Sequence, residues 1–591
     1  IEYYWSLFGD SICLLFSSND ILEFMTHKNI FFSLLFFASN AWGQVRYIDY
    51  PSPFHPTIGN SGMVVSQNQA SSDIGVEILN MGGNAIDAAV AVGFSLAITL
   101  PRAGNLGGGG FMLVYLNDEK KTIAVDFRSA APKNLLKNDF LFLKNNYDQR
   151  RYGYKASGVP GTVAGLLQTH DRYGKLSLKK ILQPVIKQAQ EGIQVSYDLN
   201  QAIGSADQIS LNKESKNIYY QNDSPVKEHL LMKRPDLAWT FREIARHGEE
   251  AFYTGSIAKK IVQAMQENGG YISAKDLKEY EPRFAEPIQT TYRNHKVLAH
   301  PPPAGGAAVL LEGLNILENF STDEIGPNSA SFLHLFAEAL QRGHMDRSRH
   351  MGDPQFYDVP IKKIISKGRA NSLAKTINFE KATPPSTLNP DSLFQEGENT
   401  THYSIIDQDG NVVSNTYTLG YSFGSGVTIP GTGILLDNQM NNFAYQYGNP
   451  AVIDRSASIG NRLEPGKRPM STMTPVIIFD ENNELKLITG SPGGALIPAA
   501  VLRVVTGVID FNLNLGEATM LPRIHKDWPY KNLRLEKGFS QDTLQILESF
   551  GHELEESKTM GSTQSILIST KGKEGFADLR RPNAGVAIQI D

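Results

Sequence analysis

The apolar and polar positions divide the chain into three textures. From Gly59 to about Val114 it is rich in Gly and Ala, and residues 84–100 are almost continuously apolar, interrupted only by Asp87, Gly93, Ser95 and Thr99. With Asn84 placed as an N-cap and Pro101 just beyond, this stretch predicts a buried helix, short for a membrane span. Residues 111–115 and 122–127 read as strands. Between about 160 and 390 the pattern is helical, at 163–173, 178–189, 257–268 and 329–347, with a break or new start expected at Pro184. From Thr400 the texture changes. Residues 403–407 and 412–419 flank Asp409-Gly410-Asn411, a strong hairpin signal, and 485–488 reads as a further strand. A helix-rich part therefore precedes a strand-rich part. No internal repeat or long linker separates them, so the shift near 390–400 reads as a processing point inside one fold.

Composition narrows the function. The chain has 591 residues, 41% hydrophobic and 20% charged, as expected of a globular protein with a large core. Its formal net charge of −5 leaves no basic excess to neutralise a phosphate backbone, so nucleic acid is not an expected partner. The single cysteine, Cys13, allows neither an intrachain disulfide nor a cysteine-rich zinc site. Met25, Lys28, the apolar residues 30–38 and the small residues before Gln44 read as a cleavable signal peptide over 25–43. Residues 1–24 then form an upstream extension, and the mature protein is expected to be exported, to the periplasm or outside the cell.

The chemistry centres on Asn399-Thr400-Thr401-His402-Tyr403-Ser404. Alone, Thr400 would pass for an edge-strand residue, since Thr-Thr pairs are common in strands. Ordered around it, however, stand Met81-Gly82-Gly83-Asn84-Ala85-Ile86-Asp87-Ala88, Gly104-Asn105-Leu106 with the glycines 107–110, Asp126-Phe127-Arg128, Gly158-Val159-Pro160-Gly161, Asp346-Arg347 and Gly490-Ser491-Pro492-Gly493-Gly494. With these motifs the chain resembles the γ-glutamyltransferase family of N-terminal nucleophile hydrolases, from about Ser61 to Val586.

The resemblance implies a four-layer αββα fold of mixed α/β class. A large chain, 44–399, and a small chain, 400–591, would stay associated as a heterodimer after the precursor cuts itself between Asn399 and Thr400. An unactivated threonine hydroxyl is a poor nucleophile and needs a base. Once N-terminal, Thr400 carries that base itself, because an α-amine with a pKa of about 7.7–8.0 is partly neutral near pH 7. By the same resemblance Thr418 hydrogen-bonds the nucleophile, Gly493 and Gly494 supply oxyanion donors, and Arg128, Ser471 and Thr472 hold the glutamyl α-carboxylate. Backbone amides of glycine can approach an oxyanion closely, and a guanidinium can grip a carboxylate with two bonds. The substrates implied are glutathione and other γ-glutamyl compounds, with water or an acceptor amino acid or peptide removing the acyl group.

Two positions depart from the family pattern. Its substrate amine sits among an asparagine, a glutamine and an acidic residue, and here these are Gly420, Gln439 and Asn442. Loss of the carboxylate is expected to weaken discrimination between γ-glutamyl and glutaryl groups, which makes a glutaryl-type (cephalosporin) acylase the alternative. A non-catalytic binding protein is weighed third; the retained Thr400, Thr418 and glycine pair speak against it. The family's lid corresponds to about 447–457, where Ile453 replaces a tyrosine that Tyr445 or Tyr447 could supply.

Other motifs are set aside. Gly420-Tyr421-Ser422-Phe423-Gly424 matches a nucleophile elbow but is followed by a poor helix start. His344, Asp346 and His350 do not share a helical face and read as a solvated helix end. Gly107 to Gly110 lacks the Lys-Ser/Thr of a phosphate loop. No nucleotide, cofactor or metal is expected.

Overall fold

The computed structural model describes residues 52–322, 324–388, 399–445 and 458–590. The expected signal peptide, Cys13 and the lid with Tyr447 and Ile453 lie outside the described residues.

Two seven-stranded sheets form the centre. One runs, edge to edge, Gly585–Ile588, Met63–Ser66, Asn399–Ile406, Val412–Gly420, Gly109–Leu116, Lys121–Asp126 and Arg283–Ala285. The other runs Thr57–Gly59, Gly572–Ala577, Gln564–Ser569, Leu485–Thr489, Val476–Phe479, His295–Ala299 and Ile288–Tyr292. Every pairing within the two sheets is antiparallel. Each sheet interleaves strands from both sides of residue 399.

Strand alternation sends side chains to both faces of each sheet, and both faces are covered. Met63, Val65, Leu113 and Tyr115 of the first sheet meet Leu298, Ile477, Phe479 and Ile488 of the second in a shared core. The outer face of the first sheet carries helices Ala85–Thr99, Thr162–Tyr173 and Leu178–Glu191. Helices Gly305–Leu317, Ala330–His350 and Ile497–Ile509 cover the outer face of the second. The result is the expected αββα stack. Among the described residues no helix is long and apolar enough to cross a membrane.

Local signals place most of these elements. The apolar stretch is the helix Ala85–Thr99, and Asn84 caps it in a capping box with Asp87. The hairpin closes as the turn residues require: Ile406 faces Val412, and Gly410 takes φ +83°. Pro184, by contrast, ends no helix. Leu178–Glu191 is continuous, because buried Ile181, Leu182, Val185 and Ala189 anchor one face, while Lys180, whose carbonyl loses its partner, is exposed. After Gly420 no helix follows, so the elbow geometry is absent.

One close approach ties the second helical layer to the loop beyond its sheet. Gly306 donates its amide to the Ser471 carbonyl at 3.1 Å, and a Cβ there would lie 2.0 Å from the Thr472 carbonyl oxygen. Only glycine allows that contact. Gly306→Ala is therefore expected to cost about 1–3 kcal/mol, read as a lower urea midpoint; an unchanged midpoint would mean that the 471–472 segment moves away freely.

Candidate functional site

Thr400 sits in the interior of the first sheet, not at its edge. Asn399–Ile406 pairs with Val412–Gly420, and the register slips between Asn399 and Thr401, so Thr400 alone faces Thr418 and Leu419 of a bulge on the partner strand. Bulges re-aim a side chain and are common beside active sites. Here the Thr400 hydroxyl donates to Thr418 Oγ1 at 3.3 Å, and the Thr418 hydroxyl donates to the Asn399 carbonyl at 2.7 Å. The Gly420 amide donates to Thr418 Oγ1 at 2.8 Å, fixing it from the other side. Both threonines are buried, at 7% and 4% exposure. The carbonyl that precedes Thr400 is thus polarised by a hydroxyl that itself accepts from Thr400.

Gln439 connects this group to the next. Its side-chain amide donates to the Thr418 carbonyl at 2.9 Å, and its backbone amide donates to Asp437 Oδ1 at 3.3 Å. Asp437 Oδ1 also accepts from the Gly158 amide at 2.9 Å, and Oδ2 takes a short hydrogen bond from the Ser129 hydroxyl. Burial pushes the Asp437 carboxyl up to about 7, against the pull of Ser129, the two amides and the Arg128 charge.

Arg128 is fully buried and donates to the Pro469 carbonyl at 3.3 Å and the Met470 carbonyl at 3.5 Å. Its guanidinium therefore lies against the segment that leads into Ser471 and Thr472. Asn461 joins that segment to Asn442: its side chain donates to the Asn442 carbonyl at 2.8 Å and accepts from the Met470 amide at 2.8 Å. Asn442 is partly exposed at the end of the short helix Gln439–Asn442. Gly493 and Gly494, at φ +130° and +56°, lead into helix Ile497–Ile509. Gly490, three residues earlier, packs on His402: a Cβ would meet its ring at 2.3 Å. The glycine pair is thereby held beside the threonine strand.

Several contributors carry no local sequence signal. At Gly420, a Cβ would lie 2.1 Å from Asn438 Oδ1, so the Asn438 carboxamide fills the space that the missing side chain leaves. Asn438 accepts from the Tyr421 amide at 3.0 Å and donates to the Arg151 carbonyl at 3.0 Å. Ser129, Asp437 and Asn461 join the site in the same way, through long-range contacts. Tyr445 is buried, with its hydroxyl on the Met440 carbonyl at 3.0 Å, which occupies the group it would lend to a lid. The helix end at His344 and Asp346 is not solvated: both are fully buried, Asp346 because Arg369 pairs with it.

The four layers and the buried threonine of the central strand define an N-terminal nucleophile hydrolase. The gamma-glutamyltranspeptidase family model matches residues 71–588. The chain is 42% identical over 525 residues to the glutathione hydrolase proenzyme of Escherichia coli K12, covering 88% of this chain and 90% of that one. Cephalosporin acylase from Bacillus halodurans superposes with a TM-score of 0.82 at 27% identity, covering 93% of this chain and 99% of that one. A chain of Helicobacter pylori gamma-glutamyltranspeptidase gives 0.54 at 36% identity, covering 56% of this chain and 96% of that one. The protein belongs to the γ-glutamyltranspeptidase family and is an enzyme.

His402 gives the site a pH signature. Its Nδ1 lies 2.8 Å from Thr416 Oγ1 and its Nε2 3.1 Å from Ser404 Oγ, with no charged partner among the described residues, and burial lowers its pKa to about 3. The unfolded chain takes up a proton near 6.5 and the folded chain does not, so stability is full above pH 6.5 and falls as pH drops toward 3. Unfolding free energies from denaturant melts between pH 7 and 4 should fall more steeply for the native protein than for His402→Gln, by about 1 kcal/mol per pH unit. Parallel curves would contradict this.

Proposed function

We propose that the chain is a γ-glutamyl-transferring hydrolase that cuts itself between Asn399 and Thr400 and then uses Thr400 as its nucleophile. The observation that carries this reading is the relay from the Thr400 hydroxyl through Thr418 to the Asn399 carbonyl oxygen. As Thr400 Oγ1 attacks the Asn399 carbonyl carbon, its proton can pass to Thr418, and the Thr418 proton to the developing oxyanion. Collapse breaks the C–N bond and leaves an ester, with the proton delivered to the departing nitrogen. That cleavage frees the Thr400 α-amine, and water then opens the ester, leaving a carboxylate on Asn399 and restoring the Thr400 hydroxyl.

In the cut enzyme that amine takes the hydroxyl proton as Thr400 attacks a γ-glutamyl amide. Amides at Gly493 and Gly494 stabilise the oxyanion, Arg128 with Ser471 and Thr472 holds the α-carboxylate, and Gln439 with Asn442 faces the amine. Glutathione is the expected donor, and water or an acceptor amino acid or peptide resolves the acyl-enzyme. The chains 44–399 and 400–591 remain together, and the protein acts in the periplasm or outside the cell. Its similarity to a glutathione hydrolase proenzyme over most of both chains supports this reading over the acylase alternative.

Intact mass spectrometry tests the first step. The native sequence should give two chains divided before Thr400, and Thr400→Ala one uncut chain without γ-glutamyl hydrolysis; an uncut, active native protein would overturn the proposal.

The substrate-amine site generates a second test, on p-nitroanilides. Asn442→Asp restores a charge, and a charge-assisted hydrogen bond is worth about 1.5–3 kcal/mol. The ratio of kcat/KM for γ-glutamyl over glutaryl substrate should rise roughly 10- to 150-fold. An unchanged ratio would remove Asn442 from amine recognition.

A further inference from the structure

Away from the threonine site, three ionisable side chains from separate parts of the sequence converge in the interior. His344 belongs to helix Ala330–His350, His525 to strand Ile524–Lys526, and Asp527 follows that strand directly. Their exposures are 0%, 0% and 3%. One potential ligand atom from each lies within 4.8 Å of the other two. His344 Nδ1 is 3.3 Å from Asp527 Oδ1, His525 Nε2 is 3.7 Å from Asp527 Oδ2, and the imidazoles meet edge to face with centroids 5.2 Å apart.

These spacings are wider than the 2.7–3.2 Å typical of an N–H···O hydrogen bond. Zinc bonds of about 2.0–2.1 Å to nitrogen and 2.0–2.2 Å to a carboxylate oxygen, in a tetrahedron, place neighbouring ligand atoms roughly 3.3–3.6 Å apart. The His344–Asp527 spacing falls in that range, and the His525 spacing, to the other carboxylate oxygen, is slightly longer. Two imidazoles and one carboxylate are also a first-row transition-metal donor set, where calcium and magnesium take oxygen. Neither Asp346 nor His350 is needed: Asp346 is engaged by Arg369.

We propose that His344, His525 and Asp527 bind one divalent transition-metal ion, Zn²⁺ by coordination chemistry, with the fourth position open to water. The ion clamps helix Ala330–His350 to the small sheet of Ile524–Lys526, Asn532–Leu535 and Glu553–Glu556. It replaces the expectation of a metal-free protein, and it stands independently of the reaction at Thr400.

Zinc titration of the tag-free, EDTA-dialysed full protein, followed by calorimetry and by the thermal midpoint, tests the site. The expected result is one ion per chain, with a midpoint that rises with zinc and returns on chelation. His344→Gln should weaken binding by at least about tenfold, since even outer partners of metal ligands are worth about 10–100-fold, while His350→Gln should leave it unchanged. Cobalt gives a readout that needs no variant: the native protein should show the intense visible bands of tetrahedral Co²⁺. No stoichiometric binding, weak octahedral-type cobalt bands, or zinc binding that survives both His344→Gln and Asp527→Asn would overturn the site and leave a histidine–aspartate ion pair.

Discussion

The site depends on one pairing, Asn399–Ile406 against Val412–Gly420, and on the single residue by which it slips. The ladder that pairs Thr401 with Tyr417 brings Thr400 opposite Thr418, and the extra residue on the partner strand then sets Asn399 against Gly420. The Thr400 hydroxyl points at Thr418, and Thr418 at the carbonyl behind Thr400. Neither hydroxyl could hold that direction in a loop. The sheet on both sides and the helices above it fix two short side chains to the precision that attack on a carbonyl demands.

Around that pair the interior is polar. His402 sits on two hydroxyls and stays neutral, Gly490 gives it room, and burial raises Asp437 toward neutrality against the pull of three donors and a nearby arginine. A low-dielectric surrounding of this kind strengthens every hydrogen bond aimed at a developing charge. On the Arg128 side, a buried guanidinium is anchored on the Pro469 and Met470 carbonyls.

Much of this was legible in the sequence, and the division follows from the range of the forces involved. The helix after Asn84, the hairpin at Gly410 and the strands flanking both rest on signals within a few residues, and they stand as expected. Motif order carried the fold and the family. What escaped was long-range. Asn438 fills the place beside Gly420, Asn461 bridges Asn442 to Met470, and Asp527 finds His344 from far along the chain; no local window contains these pairs. The helix end at Asp346 read as solvated because its partner Arg369 lies on another element, and Pro184 read as a breaker because the anchoring face around it is a tertiary property.

The interleaving of strands from both sides of residue 399 gives the chain a built-in direction in time. A break before Thr400 would leave the strand that carries Thr400 held by Met63–Ser66 on one side and Val412–Gly420 on the other. The reverse journey would be another matter. Two separate polypeptides would have to meet and weave both sheets at once, paying the entropy of association that a continuous chain avoids. Folding knowledge would then reside in the uncut polypeptide alone, and the opened molecule would persist by slow unfolding, as a kinetically trapped heirloom of a precursor that no longer exists.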